Sequence, residues 1–148
     1  MKKEKKAIII CCVVIAVLVA ISAGLYIAGN VYYSPERIYE QTWNIELPDG
    51  MKKEFEEKTD NSFHGDGIRY TKYSVKEAEN SLSDFKSEKD TTIESAISEY
   101  LSTINIASEH QPNWGHNYTW KHIEKYENHL YMIYDQQTNE LFVLQIKI

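Results

Sequence analysis

Cysteine is almost missing from this chain. Its two residues, Cys11 and Cys12, are adjacent and lie inside an apolar segment. Everything after that segment is free of cysteine, so it holds no disulfide and has to rely on a packed core. Glycine and proline are also scarce, at six and three in 148 residues. That excludes a collagen-like chain, and the segments after the apolar run contain no Gly/Ser-rich or Pro-rich linker. No internal repeat or low-complexity tract is present, and the length allows one ordinary domain rather than a large multidomain enzyme or a solenoid array. G-x-S-x-G, P-loop, dinucleotide-binding and zinc signatures are all lacking, as are H-x-x-x-H and H-E-x-x-H. A hydrophobic share of 43% excludes a wholly disordered protein.

Charge is missing from one stretch altogether. From Ala7 to Ala28, 22 residues carry no charged side chain. As a helix this stretch measures about 33 Å, enough for a hydrocarbon core of about 30 Å. Lys2, Lys3, Lys5 and Lys6 precede it, Arg37 is the only basic residue soon after it, and Tyr26, Tyr32 and Tyr33 stand at its far end. The basic cluster predicts a cytoplasmic tail over 1–6, a single transmembrane helix over 7–29 and everything beyond it outside the plasma membrane. A cleaved signal peptide is the rival reading, with small residues at Ala20, Ser22, Ala23 and Gly24. A signal core usually runs about 7–15 residues, so the longer run favours retention as an anchor. Cys11 and Cys12 read as lipid-facing or helix-packing residues.

Four of the 16 basic and one of the 22 acidic residues precede the span, leaving 12 and 21 beyond it, a formal net of −9. Phosphate backbones need a basic stripe, so nucleic acid is not an expected partner. The expected partners are the membrane, through the anchor, and a protein at the cell envelope. The acidic surface also serves solubility.

After a juncture over 30–40, the pattern over 41–148 predicts an α+β domain with an antiparallel sheet of about five or six strands and two helices on one face. Trp43, Ile45 and Leu47 alternate and predict a strand ending at the Pro48-Asp49-Gly50 turn. Lys52–Lys58 is a charged edge-strand candidate, and Ile68–Tyr73 a better strand. Ser74 with Glu77, and Thr91 with Glu94, fit capping boxes. The first opens a helix carrying Val75, Ala78, Leu82 and Phe85. The second opens one carrying Ile93, Ala96, Ile97, Tyr100, Leu101 and Ile104 at helical spacing, stopped at Gln111-Pro112-Asn113. Three strands close the chain at Thr119–Tyr126, His129–Asp135 and Leu141–Ile148, with turns at Glu127-Asn128 and Gln136–Asn139.

Phe63-His64-Gly65-Asp66-Gly67 is the densest local motif. Two glycines around an aspartate predict a tight turn with positive φ before the strand from Ile68. Turn chemistry alone accounts for each residue; the functional alternative has His64 and Asp66 project together onto a polar ligand or a metal. His122 shares a strand face with Trp120, Glu124 and Tyr126, and His129 sits at the neighbouring turn. A metal pair of His122 with Glu124 or His129 is conceivable, but exposed strand histidines are the simpler account. Trp114, Tyr118, Trp120, Tyr126, Tyr131 and Tyr134 crowd into the last sheet, as core packing or as a recognition surface. No catalytic residue, metal ligand or cofactor is assigned. Ligand or partner contacts are expected at His64, Asp66, Trp114, Trp120 and Tyr126.

Leu47-Pro48, the charged stretch after it, Phe63-His64-Gly65-Asp66-Gly67, Tyr70 and the Tyr134-Asp135 pair before the last turn, behind a Lys-led anchor, resemble small single-span exported proteins of Gram-positive bacteria. That family has no established activity, so the resemblance implies exposure on the cell envelope and no reaction. The sequence therefore predicts a membrane-anchored extracytoplasmic interaction module without catalysis, of immunity type or an accessory subunit. Two alternatives stand beside it: a small envelope hydrolase or metal-binding enzyme centred on His64 and Asp66, and a sensor signalling through a partner.

Overall fold

The computed structural model describes residues 2–32, 34–59, 66–76 and 82–148. It divides into two compact units, Met1–Ile45 and Glu46–Ile148.

The first unit begins with one continuous helix, α1 (Lys2–Tyr32). Within it, the 18 residues Cys12–Gly29 are long and apolar enough to cross a membrane, and none of them is buried. A signal sequence near an N-terminus can meet the same requirement of length and composition. The second helix, α2 (Pro35–Trp43), has clear start and stop signals. Ser34 caps it by accepting from the Arg37 N–H, Pro35 opens the first turn, Glu36 favours the positive end of the dipole, and Asn44 ends it in the left-handed region at φ 54°. Trp43, expected to begin a strand, is instead the last residue of this helix, and residues 45–48 have no regular structure. Three alternating apolar residues are a short period-two signal, and a capped start with a left-handed stop outweighs them.

The second unit is the α+β domain. Its strands are β1 (Lys52–Lys58), β2 (Gly67–Ser74), β3 (Tyr118–Lys125), β4 (Asn128–Asp135) and β5 (Glu140–Lys147). They form one five-stranded sheet in the order β1-β2-β5-β4-β3, with antiparallel neighbours throughout. The charged strand β1 lies at one edge, where lysines and glutamates discourage further pairing. The last strand in sequence, β5, is central. Leu141, Val143 and Gln145 are buried on one face and Phe142, Leu144 and Ile146 on the other. Burial on both faces explains why β5 reads as an almost continuous apolar run.

The helix predicted from Thr91 is α3 (Thr91–Thr103). Its cap lies one residue earlier than the Thr91 box: Asp90 accepts from the Thr92 and Ile93 N–H groups. Glu94, expected to reach back to the cap, accepts instead from the Tyr118 hydroxyl at 2.6 Å. Ile93, Ile97 and Leu101, with Ile106 beyond the helix end, pack on Tyr70, Trp120, Tyr131, Ile133, Phe142, Leu144 and Ile146 of one sheet face. Ser74 does not open a helix. It pairs with Lys52 and Glu140, and Val75 continues that pairing through its N–H to the Asn139 carbonyl. Part of the expected helix, 77–81, lies outside the described residues; Leu82–Asp84 is a turn, and Lys86 bridges to Trp120 on β3.

Leu101 is fully buried between α3 and the sheet. Leu101→Ala should destabilise the domain by about 2–5 kcal/mol. Urea unfolding of the full chain in detergent, followed by tryptophan fluorescence, measures this.

Candidate functional site

The chemistry-bearing side chains gather on the β3–β4 hairpin, so its construction comes first. The two strands pair Trp120 with Ile133, His122 with Tyr131, Glu124 with His129 and Lys125 with Asn128. That leaves a two-residue turn, Tyr126-Glu127, with Tyr126 at φ 60°, where short hairpins favour Gly or Asn. Side chains alternate across a strand, so Trp120, His122 and Glu124 share one face with Ile133, Tyr131 and His129. Burial falls along that face toward the turn. Trp120 is buried, His122 and His129 are half-buried, Glu124 is exposed, and Tyr126 at the tip is 95% exposed.

His122 lies flat on Tyr131, with ring centroids 4.3 Å apart and planes 2° from parallel. His129, diagonal to His122 across the ladder, brings its Nδ1 to 3.1 Å from His122 Nε2. One ring nitrogen of each histidine and a Glu124 carboxylate oxygen all lie within 4.8 Å of one another. Burial pushes the His122 imidazole below its ordinary value; His129 and Lys86 push the same way, and Glu124 opposes them. The ring therefore favours its neutral form, in which an imidazole offers a lone pair.

Sequence reasoning placed this turn at Glu127-Asn128, which sets His129 opposite Tyr126 and four residues along the strand from His122. The turn one residue earlier shifts the pairing by two residues and sets His129 beside Glu124 instead. A positive φ at a tyrosine gives no turn signal in a sequence, because Tyr is not a residue that favours it.

A second cluster is a lock. His116 Nδ1 lies 2.7 Å from the buried Asp135 carboxylate, whose other oxygen accepts from the Gln137 and Thr138 N–H groups. The other ring nitrogen of His116 faces the Asn113 side-chain amide at 2.9 Å. The set resembles part of a nucleophilic triad, but an amide stands where a nucleophile would. It pins the 113–117 loop to the end of β4.

The aromatic crowd is directed mostly inward. Trp114 donates to Ser98 Oγ at 3.1 Å and meets Tyr118 edge-on at 5.4 Å. Trp120 donates to the Glu88 carbonyl at 2.8 Å. Burial and the Glu94 hydrogen bond push the Tyr118 phenol up to about 12. Of the expected contact residues, Trp114 and Trp120 thus pack with the core, and Tyr126 is the one that projects freely. His64 lies outside the described residues. Asp66 is half-buried just before β2, and Gly67 beside it takes the expected positive φ, 138°.

Asp135 holds three donors at once, so Asp135→Ala should destabilise the domain by about 1–3 kcal/mol, read as a lower urea midpoint. His122 should titrate below the ordinary histidine value of about 6.5 in pH-dependent NMR of its ring. Because the folded state resists protonating it, its contribution to stability is complete above about pH 6.5. That contribution is lost as the pH falls through the lowered midpoint, and His122→Gln should flatten this part of the stability–pH curve.

Comparison with known proteins finds no family model, no curated protein and no solved structure that matches this chain.

Proposed function

We propose that this protein is a membrane-anchored interaction module of a bacterial cell envelope, with its α+β domain outside the cytoplasm and no catalytic role. The observation that carries the reading is Tyr126. A large side chain occupies a left-handed turn position that costs a non-glycine residue about 1–2 kcal/mol, and its ring is 95% exposed. The strand register imposes that turn, where Gly or Asn would carry less of the cost, and the exposed ring gains little burial in return. A rigid amphipathic ring held at a hairpin tip suits a docking anchor, because it buries much area while losing little rotamer entropy.

The rest of the reading is supported from the other end of the chain. The lysine cluster ahead of the Cys12–Gly29 apolar stretch favours a cytoplasmic N-terminus. The stretch exceeds a typical signal core, which favours an anchor that stays. The inward packing of Trp114 and Trp120 leaves Tyr126 as the exposed aromatic side chain among the described residues of the domain.

Three measurements on cells expressing the chain test this together. Intact mass of the mature protein should account for residues 1–148, without removal of the apolar helix. Protease added to intact cells should digest the domain. A photoreactive residue at position 126 should give a discrete adduct that one at Gln137, on the opposite turn, does not. A protected domain reverses the orientation, a shortened mature chain removes the anchor, and equal labelling at both turns removes Tyr126 as the docking point.

A further inference from the structure

We propose that His122, Glu124 and His129 form a binding site for a divalent transition-metal ion of the zinc class. The two histidine nitrogens stand 3.1 Å apart. An ion about 2.05 Å from each would subtend an N–metal–N angle of roughly 100°, between octahedral and tetrahedral values. A Glu124 carboxylate oxygen lies within 4.8 Å of a ring nitrogen of each histidine, and the side chain is exposed, with room to turn toward an ion.

The scaffold is suited to this. The ligands come from two adjacent strands of a hydrogen-bonded ladder, and strands hold a constellation more exactly than loops do. Both rings lie nearly parallel to Tyr131, which fixes their planes before any ion arrives. Two imidazoles and one carboxylate select zinc, nickel or copper over calcium and magnesium, which take oxygen ligands. Three protein ligands leave a fourth position for water or an external ligand, and the exposed side of the cluster keeps that position accessible. The opposing charge is Lys86, but its ammonium lies over the Trp120 ring, 4.7 Å from the centroid.

The competing account is a plain histidine–histidine hydrogen bond, in which one ring's N–H donates to the other's lone pair. The two accounts differ in what zinc does: an ion at the site takes a lone pair from each ring, so the donor ring carries its proton on its other nitrogen and both rings are tied to the ion.

The test uses the full chain in detergent, purified on a tag without histidine, stripped with chelator and titrated with zinc chloride by calorimetry. The expected result is one saturable site of micromolar affinity or tighter, with no competition from millimolar magnesium. His122→Ala and His129→Ala should each weaken binding at least about tenfold, the loss that removing even an outer-sphere partner brings. His110→Ala, on a separate segment, should leave binding unchanged. Should a histidine variant lose its fold, the wild-type chain still decides the question: zinc should move the ring nitrogen resonances of His122 and His129 and of no other histidine. No saturable binding, binding indifferent to both variants, or shifts centred on other histidines would overturn the site.

Discussion

The pairing of Glu124 with His129 is the constraint on which the rest of the domain depends. In that register Trp120, Tyr131 and Ile133 point together at α3 and complete its core. The same register sets His122, Glu124 and His129 side by side where the cover ends. A slip of one residue would turn every one of these side chains to the opposite face. Several features hold the register in place. The inner strand β4 is paired along its length to β5. The Asn128 side chain accepts from the Ile148 N–H and ties the hairpin to the end of the chain. On the outer edge, Lys86 and Trp120 exchange both backbone hydrogen bonds, at 2.8 and 2.9 Å. The bridge also covers part of an edge that would otherwise offer unpaired groups.

Around that hairpin, polar groups serve mainly to hold loops against the sheet. Tyr118 joins β3 to Glu94 on α3, Trp114 reaches Ser98 on the same helix, and Asp135 gathers His116 with two turn amides. Each of these replaces water around a buried or half-buried group with a fixed partner, which limits how far the loops can move. A domain without disulfides gains its rigidity in this way. Chemistry then remains available at the open end of the hairpin, where burial falls off and side chains of different kinds meet.

Much of this was legible in the sequence. The five strands of the sheet and α3 lie within a few residues of the positions that apolar periodicity and turn residues indicated, because those signals are local. The edge placement of β1 followed from its lysines and glutamates. Two elements were misread for a shared reason. Trp43 alternates with Ile45 and Leu47, yet the cap at Ser34 and the stop at Asn44 claim it for a helix. Ser74 fits a capping box with Glu77, yet both of its neighbouring strands take it into the ladder. In each case a short pattern was weighed without the competing partners that only the fold supplies. The cluster of His122, Glu124 and His129 was legible in part: the sequence offers a metal pair of His122 with Glu124 or His129, but not all three together. His122 and Glu124 were placed on one face correctly, but bringing His129 to them required a turn position accurate to one residue, and a positive-φ tyrosine does not announce that turn.

The two readings of this protein meet on one element and still remain separable. Tyr126 is presented by the turn, and the His122–His129 pair bridges the strands a few residues behind it. A metal ion there would crosslink β3 to β4 close to the tip, where the pairing is least supported by α3. Crosslinking a hairpin just behind its turn reduces the motion of that turn and so lowers the entropy lost when an exposed anchor docks. Docking through Tyr126 does not require the ion, since ladder and turn exist without it. Each proposal can therefore be tested without the other, and an effect of zinc on docking would be a coupling between the two proposed sites.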